Sequence, residues 1–259
     1  MKKFFTDKKF NIFYSLFAVA LMWAVWLIAA ATVKNEYLIA PVGQSVKEFF
    51  ALFGEPFFWR ALGWTFLRAI AAFAISFVLA LACACLAAAF KPFAAFMRPV
   101  VALFRTLPTM AVLLLILVWF TPRTAPVAVA FLVLFPMSYT QLSDGLAGVD
   151  GELLQMAKVY KMPLSRRLAC IYIPHLAPIA VAQTGANLSF GIKLIISAEV
   201  MWSTRTALGG MISEAQAYIN LPRMVALALV AVVLGIVIEI VFRVLADYAF
   251  GWKRAVNNA

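Results

Sequence analysis

Five ionisable residues, Arg68, Arg105, Lys193, Glu199 and Glu239, interrupt runs of apolar sequence. At the centre of a bilayer an Arg, Lys or Asp costs about 2.5 to 3.5 kcal/mol, so such groups face a bundle interior, pair, or snorkel. The chemistry open to them is recognition of a charged solute, ion coupling or structural pairing. Arg68 and Arg105 lie one to two turns from the ends of their apolar runs, within reach of headgroups. Lys193 and Glu199 are deeper. Their six-residue separation, at about 100° per residue, sets them about 120° apart on one helix and argues against a simple pair. Lys193 keeps two readings: a pathway residue that holds an anionic or hydrogen-bonding solute, or the partner of Glu199 or Glu239 on a neighbouring helix.

Little else points to bond-making chemistry. His175 is the single histidine and has no Cys or carboxylate cluster at ligand spacing around it. Cys83 and Cys85 fall in an apolar run and Cys170 in a basic loop, which suits small buried side chains better than a disulfide framework. No metal, cofactor or catalytic residue is expected.

The elements that must position these charges belong to an all-α membrane protein. Of 259 residues 65% are hydrophobic and 13% charged, and the mean hydropathy is +0.96. On such a chain the net charge of +11 orients spans and meets anionic headgroups of the lipid bilayer; it does not argue for nucleic acid. Six runs approach the length of a spanning helix, near 11–32, 62–90, 99–120, 125–142, 175–201 and 224–246. The first follows MKKFFTDKKF and exceeds the apolar core of a signal peptide, so a retained helix is expected.

Charge sets the orientation. Lys2, Lys3, Lys8, Lys9, Lys91, Arg98, Lys158, Lys161, Arg166, Arg167, Arg243, Lys253 and Arg254 fall on one side, thirteen in all. Lys34, Lys47, Arg60, Arg123, Arg205 and Arg223, six, fall on the other. The asymmetry predicts cytoplasmic termini, residues 1–10 and 251–259, around a five-helix core over 62–250. The external segment 33–61 carries Val46, Phe49, Phe50 and Phe53 at helical spacing, an amphipathic helix for the outer membrane surface. Residues 121–126 make a Pro-bounded turn. The external loop 202–223 holds Gly209 and Gly210, where unusual backbone angles are expected.

The largest cytoplasmic loop, 143–174, contains LLQMAKVYKMPLSRRLACIYIP. Asp150 can cap a helix starting at Gly151. Leu153, Met156 or Ala157, and Tyr160 then form an apolar stripe on a helix too short to stand without a partner. Pro163 ends that helix or begins the next, and Ser165 can cap a second one running toward Pro174.

The order Gly145, Asp150, Leu153, Leu154, Gln155, Ala157, Arg166, Arg167, Ile173, Pro174 resembles the EAA loop of binding-protein-dependent ABC importer permeases. Ala157 and Pro174 match in register, whereas Gln155 and Lys161 stand where that family has Glu and Gly. Lys161 gives up the permissive backbone of glycine, so a different turn is expected there. FRTLPTMAVLLLILVWF (104–120), LFPMSYTQLSDGLAGVDGELLQMA (134–157) and SAEVMWSTRTALGGMI (197–212) are similar to the aliphatic-sulfonate, nitrate, taurine and thiamine-precursor branch.

The resemblance implies a six-span type I permease of the bacterial inner membrane, working as a homodimer with two ABC ATPase subunits and an extracytoplasmic substrate-binding protein. Leu153, Leu154, Gln155, Ala157, Tyr160, Lys161 and Pro174 would couple to the ATPase. Glu199 matches an acidic family position with a gating or packing role. Consistent with an ATPase on a partner, the chain carries no GxxxxGK[ST] phosphate loop. The alternative is an ion-coupled secondary transporter using Glu199, Glu239 and Lys193; the lack of a repeat signal counts against it.

Overall fold

The computed structural model describes residues 8–33, 35 and 38–250. The outermost terminal residues, with Lys2, Lys3, Lys253 and Arg254, and also Lys34, lie outside them. The apolar runs fold as helices because a backbone in hydrocarbon must satisfy its own amides and carbonyls. The order is α1 Lys8–Val33, α2 Val42–Leu52, α3 Pro56–Ala89, α4 Lys91–Thr106, α5 Thr109–Trp119 and α6 Ala125–Ala147. It continues with α7 Gly151–Val159, α8 Leu164–Arg167, a π turn Leu168–Tyr172, α9 Ile173–Met201, α10 Leu208–Ala217 and α11 Leu221–Phe250.

Among the described residues four helices are long and apolar enough to cross a membrane, and α4 with α5 makes a bent fifth candidate; in α1 the apolar stretch is Ala20–Val33. The most extensive packing is α3 on α6 and α9 on α11, with α6 and α9 joining the two pairs. Their shared core holds Phe58, Ala61, Ala69 and Ala72 of α3, Leu134 of α6, Ile192 and Ile195 of α9, and Leu227 of α11. The alanines let α3 approach closely, which replaces the hydrophobic drive that lipid does not supply.

The expected third span, 99–120, is not one helix. α4 and the first turns of α5 meet at 89°. Pro108 has no N–H to continue the ladder, and Leu107 before it is held extended at φ −62°, ψ 127°. The expected fifth span is longer than 175–201, because α8 runs through the π turn into α9 with no separate second loop helix. Backbone carbonyl Pro163 O accepts from Arg166 and Arg167 N–H at 3.0 Å each, so the chain enters the helix at Pro163.

The amphipathic helix expected on the outer surface forms as α2, and it packs on α11. Val42, Ser45 and Leu52 are its buried residues; Phe49 and Val46 are half-buried, while Phe50 and Phe53 point outward. Arg223 at the start of α11 clamps the α2–α3 corner, its Nη1 and Nη2 donating to the two Glu55 carboxylate oxygens at 2.9 and 2.7 Å.

Candidate functional site

α7 begins as the sequence predicts, with Asp150 Oδ1 accepting from Glu152 N–H at 2.9 Å. Its far end is a Schellman cap: Met162 N–H donates to Ala157 O at 2.9 Å and Lys161 N–H to Lys158 O at 3.0 Å. Lys161 takes φ 47°, the left-handed conformation that a glycine would adopt without cost. The turn is therefore kept despite the missing glycine, contrary to the expectation of a different one.

The stripe proposed from periodicity divides in two. Ala157 is fully buried, in a small cluster with Val149 and Ile171 flanked by Leu154, Met162 and Tyr172. That cluster seats α7 on the base of the long helix that becomes α9. Leu153, Met156, Val159 and Tyr160 face outward, 43, 46, 79 and 76% exposed. Gln155 and Lys161 are exposed beside them, whereas Pro174 lies in the first turn of α9. A nine-residue helix thus presents an apolar outer face held from behind by its own packing.

The charges within the spans do not form one site. Glu199 of α9 is completely buried and Arg68 of α3 is 9% exposed. Arg68 Nη1 donates to Glu199 Oε1 at 2.7 Å, Thr65 Oγ1 donates to Oε2 at 2.8 Å, and Gly209 N–H donates to Oε2 at 3.3 Å. Leu208 N–H closes the ring by donating to Thr65 Oγ1 at 3.0 Å. The N-terminus of α10 adds its dipole to the carboxylate. Arg68 is thus an interior partner of Glu199 and does not reach for headgroups.

Gly209 serves this network by close approach to Glu199, and Gly210 packs as closely on Thr204. Neither has a positive φ, in contrast to the expected unusual angles. A Cβ on Gly209 would lie 2.6 Å from Val200 N and collide with Glu199 Cβ, and one on Gly210 would collide with Thr204 O. The expected pairing of Lys193 with Glu199 or Glu239 is not made: Lys193 is exposed on α9, and Glu239 pairs with Arg243 one turn along α11 at 2.8 Å. Glu199 is fully engaged elsewhere.

Sequence reasoning missed Thr65 and the amide pair Gln141–Asn187, in which Asn187 Nδ2 donates to Gln141 Oε1 at 2.7 Å and Gln141 Nε2 donates back to Asn187 Oδ1 at 3.2 Å. The available signal was spacing: Thr65 and Arg68 stand at i, i+3 on one face of an otherwise apolar helix. Arg105 lines a cavity of about 440 Å³ between the α4–α5 bend and α6.

Among the described residues, an all-helical bundle with a bent candidate span and a small seated helix in a long loop defines a polytopic membrane protein in class. The chain belongs to the family of binding-protein-dependent transport system inner membrane components, whose model matches residues 76–248. Among curated proteins it is similar to the "Putative aliphatic sulfonates transport permease protein SsuC" of Bacillus subtilis (strain 168). The two are 25% identical over 167 residues, 63% of this chain and 59% of the relative. The chain therefore spans about three fifths of the length of that relative.

Proposed function

We propose that this permease imports a small anionic solute of the sulfonate type across the bacterial inner membrane, using ATP hydrolysed by two copies of a separate ABC ATPase. A second copy of the chain completes the pathway, an extracytoplasmic binding protein delivers the solute, and both termini of a six-span fold lie in the cytoplasm. α7 is the coupling element. The observation that carries this reading is the outward apolar face of Leu153, Met156, Val159 and Tyr160, on a helix whose inner face is already satisfied. A surface of that composition on a loop rich in Lys and Arg is suited to a protein groove. Motion of the ATPase would reach the bundle rigidly, because the helix under α7 continues without a break into α9. The sulfonate class is supported by the relative's printed name.

The test is binding-protein-stimulated ATP hydrolysis of the reconstituted complex. Met156→Asp places a carboxylate on the outer face and is expected to lower the stimulated rate at least about tenfold, the equivalent of about 1.4 kcal/mol of lost docking. Its thermal midpoint should match that of wild type. An unchanged stimulated rate would sink the coupling assignment.

A further inference from the structure

The bend between α4 and α5 holds a cavity of about 440 Å³ whose lining contains a single ionisable group, Arg105, and no carboxylate. That volume lies within the roughly 300 to 1,000 Å³ of small-molecule sites. The Phe104 and Phe135 rings lie 6.2 Å apart, edge to face, which sets Arg105 beside the turn of α6 that carries Pro136, Thr140 and Gln141. Farther along α5, Leu113 and Ile116 pack with Val129. The cavity is thus polar at one end and apolar at the other.

Donor accounting shows what the polar end lacks. Arg105 makes no ion pair with any described residue. Gln141 spends one amide N–H on Asn187 Oδ1 and has a second to give. Thr109 adds a hydroxyl to the lining, while the Thr140 hydroxyl is already donated to Pro136 O at 2.8 Å and offers only a lone pair. Arg105, Gln141 and Thr109 thus line, with unspent donors and one positive charge, a space that Phe104 and Met137 also wall, and Arg105 and Thr109 stand exposed at its open side.

We propose that this cavity is a solute site within the permease itself, binding a small organic oxyanion such as a short-chain sulfonate. The Arg105 guanidinium would hold two head oxygens in its planar fork. Gln141 and Thr109 would donate to the remaining oxygen, and the tail would lie against the apolar end. The inference deepens the proposed function and rests on its anion reading, not on the coupling assignment of α7.

The experiment uses the complete chain in lipid nanodiscs, without ATPase or binding protein, and equilibrium dialysis with labelled ethanesulfonate. Saturable binding is expected, competed by unlabelled ethanesulfonate and not by the neutral dimethyl sulfone. Arg105→Gln should weaken it about tenfold or more, Arg105→Lys less, and Met156→Asp not at all. Should Arg105→Gln fail to fold by size exclusion, Gln141→Leu carries the test with an expected loss of about three- to tenfold. Absence of saturable binding by wild type, equal competition by the sulfone, or unchanged binding in the folded cavity variants overturns the proposal. Loss of ATPase stimulation in Met156→Asp with intact ethanesulfonate binding separates the two claims.

Discussion

The Glu199 network and the α7 platform solve opposite problems. At Glu199 both oxygens of an acidic group within a candidate span are engaged, by Arg68, Thr65 and an α10 amide. At α7 a short helix buries one face and leaves four large apolar side chains outside. The carboxylate of the first region is answered within the chain, whereas the outer face of the second is the surface that the proposed coupling assigns to a partner. The Arg68–Glu199 pair therefore ties α3, α9 and the start of α10 together, while the proposed coupling rests on an exposed apolar surface.

The comparison breaks most sharply at Glu199. Glu199→Ala leaves Arg68 buried without its counter-charge, a change expected to cost about 3 to 5 kcal/mol. Thermal unfolding of the purified chain should register it as a large fall in midpoint, and an unchanged midpoint would show that the network is not structural. At the other region, Ala157→Asp forces a carboxylate among Val149, Ile171 and Leu154, at a local cost of about 2 kcal/mol or more. Because Ala157 faces inward, its effect should be unseating of α7, read as faster trypsin cleavage at Lys158 and Lys161 with the global midpoint little changed.

Smaller effects sharpen the contrast. Lys161→Gly removes the strain of φ 47° and should stabilise the α7 cap by up to about 1 kcal/mol, seen as slower amide exchange in α7. Slower exchange would agree with the Schellman geometry; faster exchange would oppose it. Lys193→Met is expected to change the midpoint least, within about 0.5 kcal/mol, because Lys193 is exposed and has no ion-pair partner among the described residues. A large loss of stability in that variant would revive the pairing reading.

What the sequence disclosed followed from local physics. Apolar run length located the long helices α3, α6, α9 and α11, and Asp150 fixed the start of α7 at Gly151. The bend at Pro108 was written in the chain as well, but run length outweighed a single proline inside it. Pairing of Arg68 with Glu199 joins positions 131 residues apart, and no local pattern reports which helices meet. The inward face of α7 was ambiguous for a similar reason. Leu154 with Ala157 and Leu153 with Met156 are both apolar i, i+3 pairs, and only the base of α9 decides between them. Lys161 shows the reverse case, where tertiary packing imposes a glycine conformation on a residue that resists it.

Tyr160 is 76% exposed on the outer face of α7, so a photo-crosslinking residue substituted there in the intact complex tests the coupling claim most directly. The account predicts that illumination yields a covalent adduct whose added mass is one ATPase subunit, while the same probe at Val78, exposed within the apolar span of α3, yields no ATPase adduct. Adducts confined to lipid or to the permease itself at position 160 would contradict it.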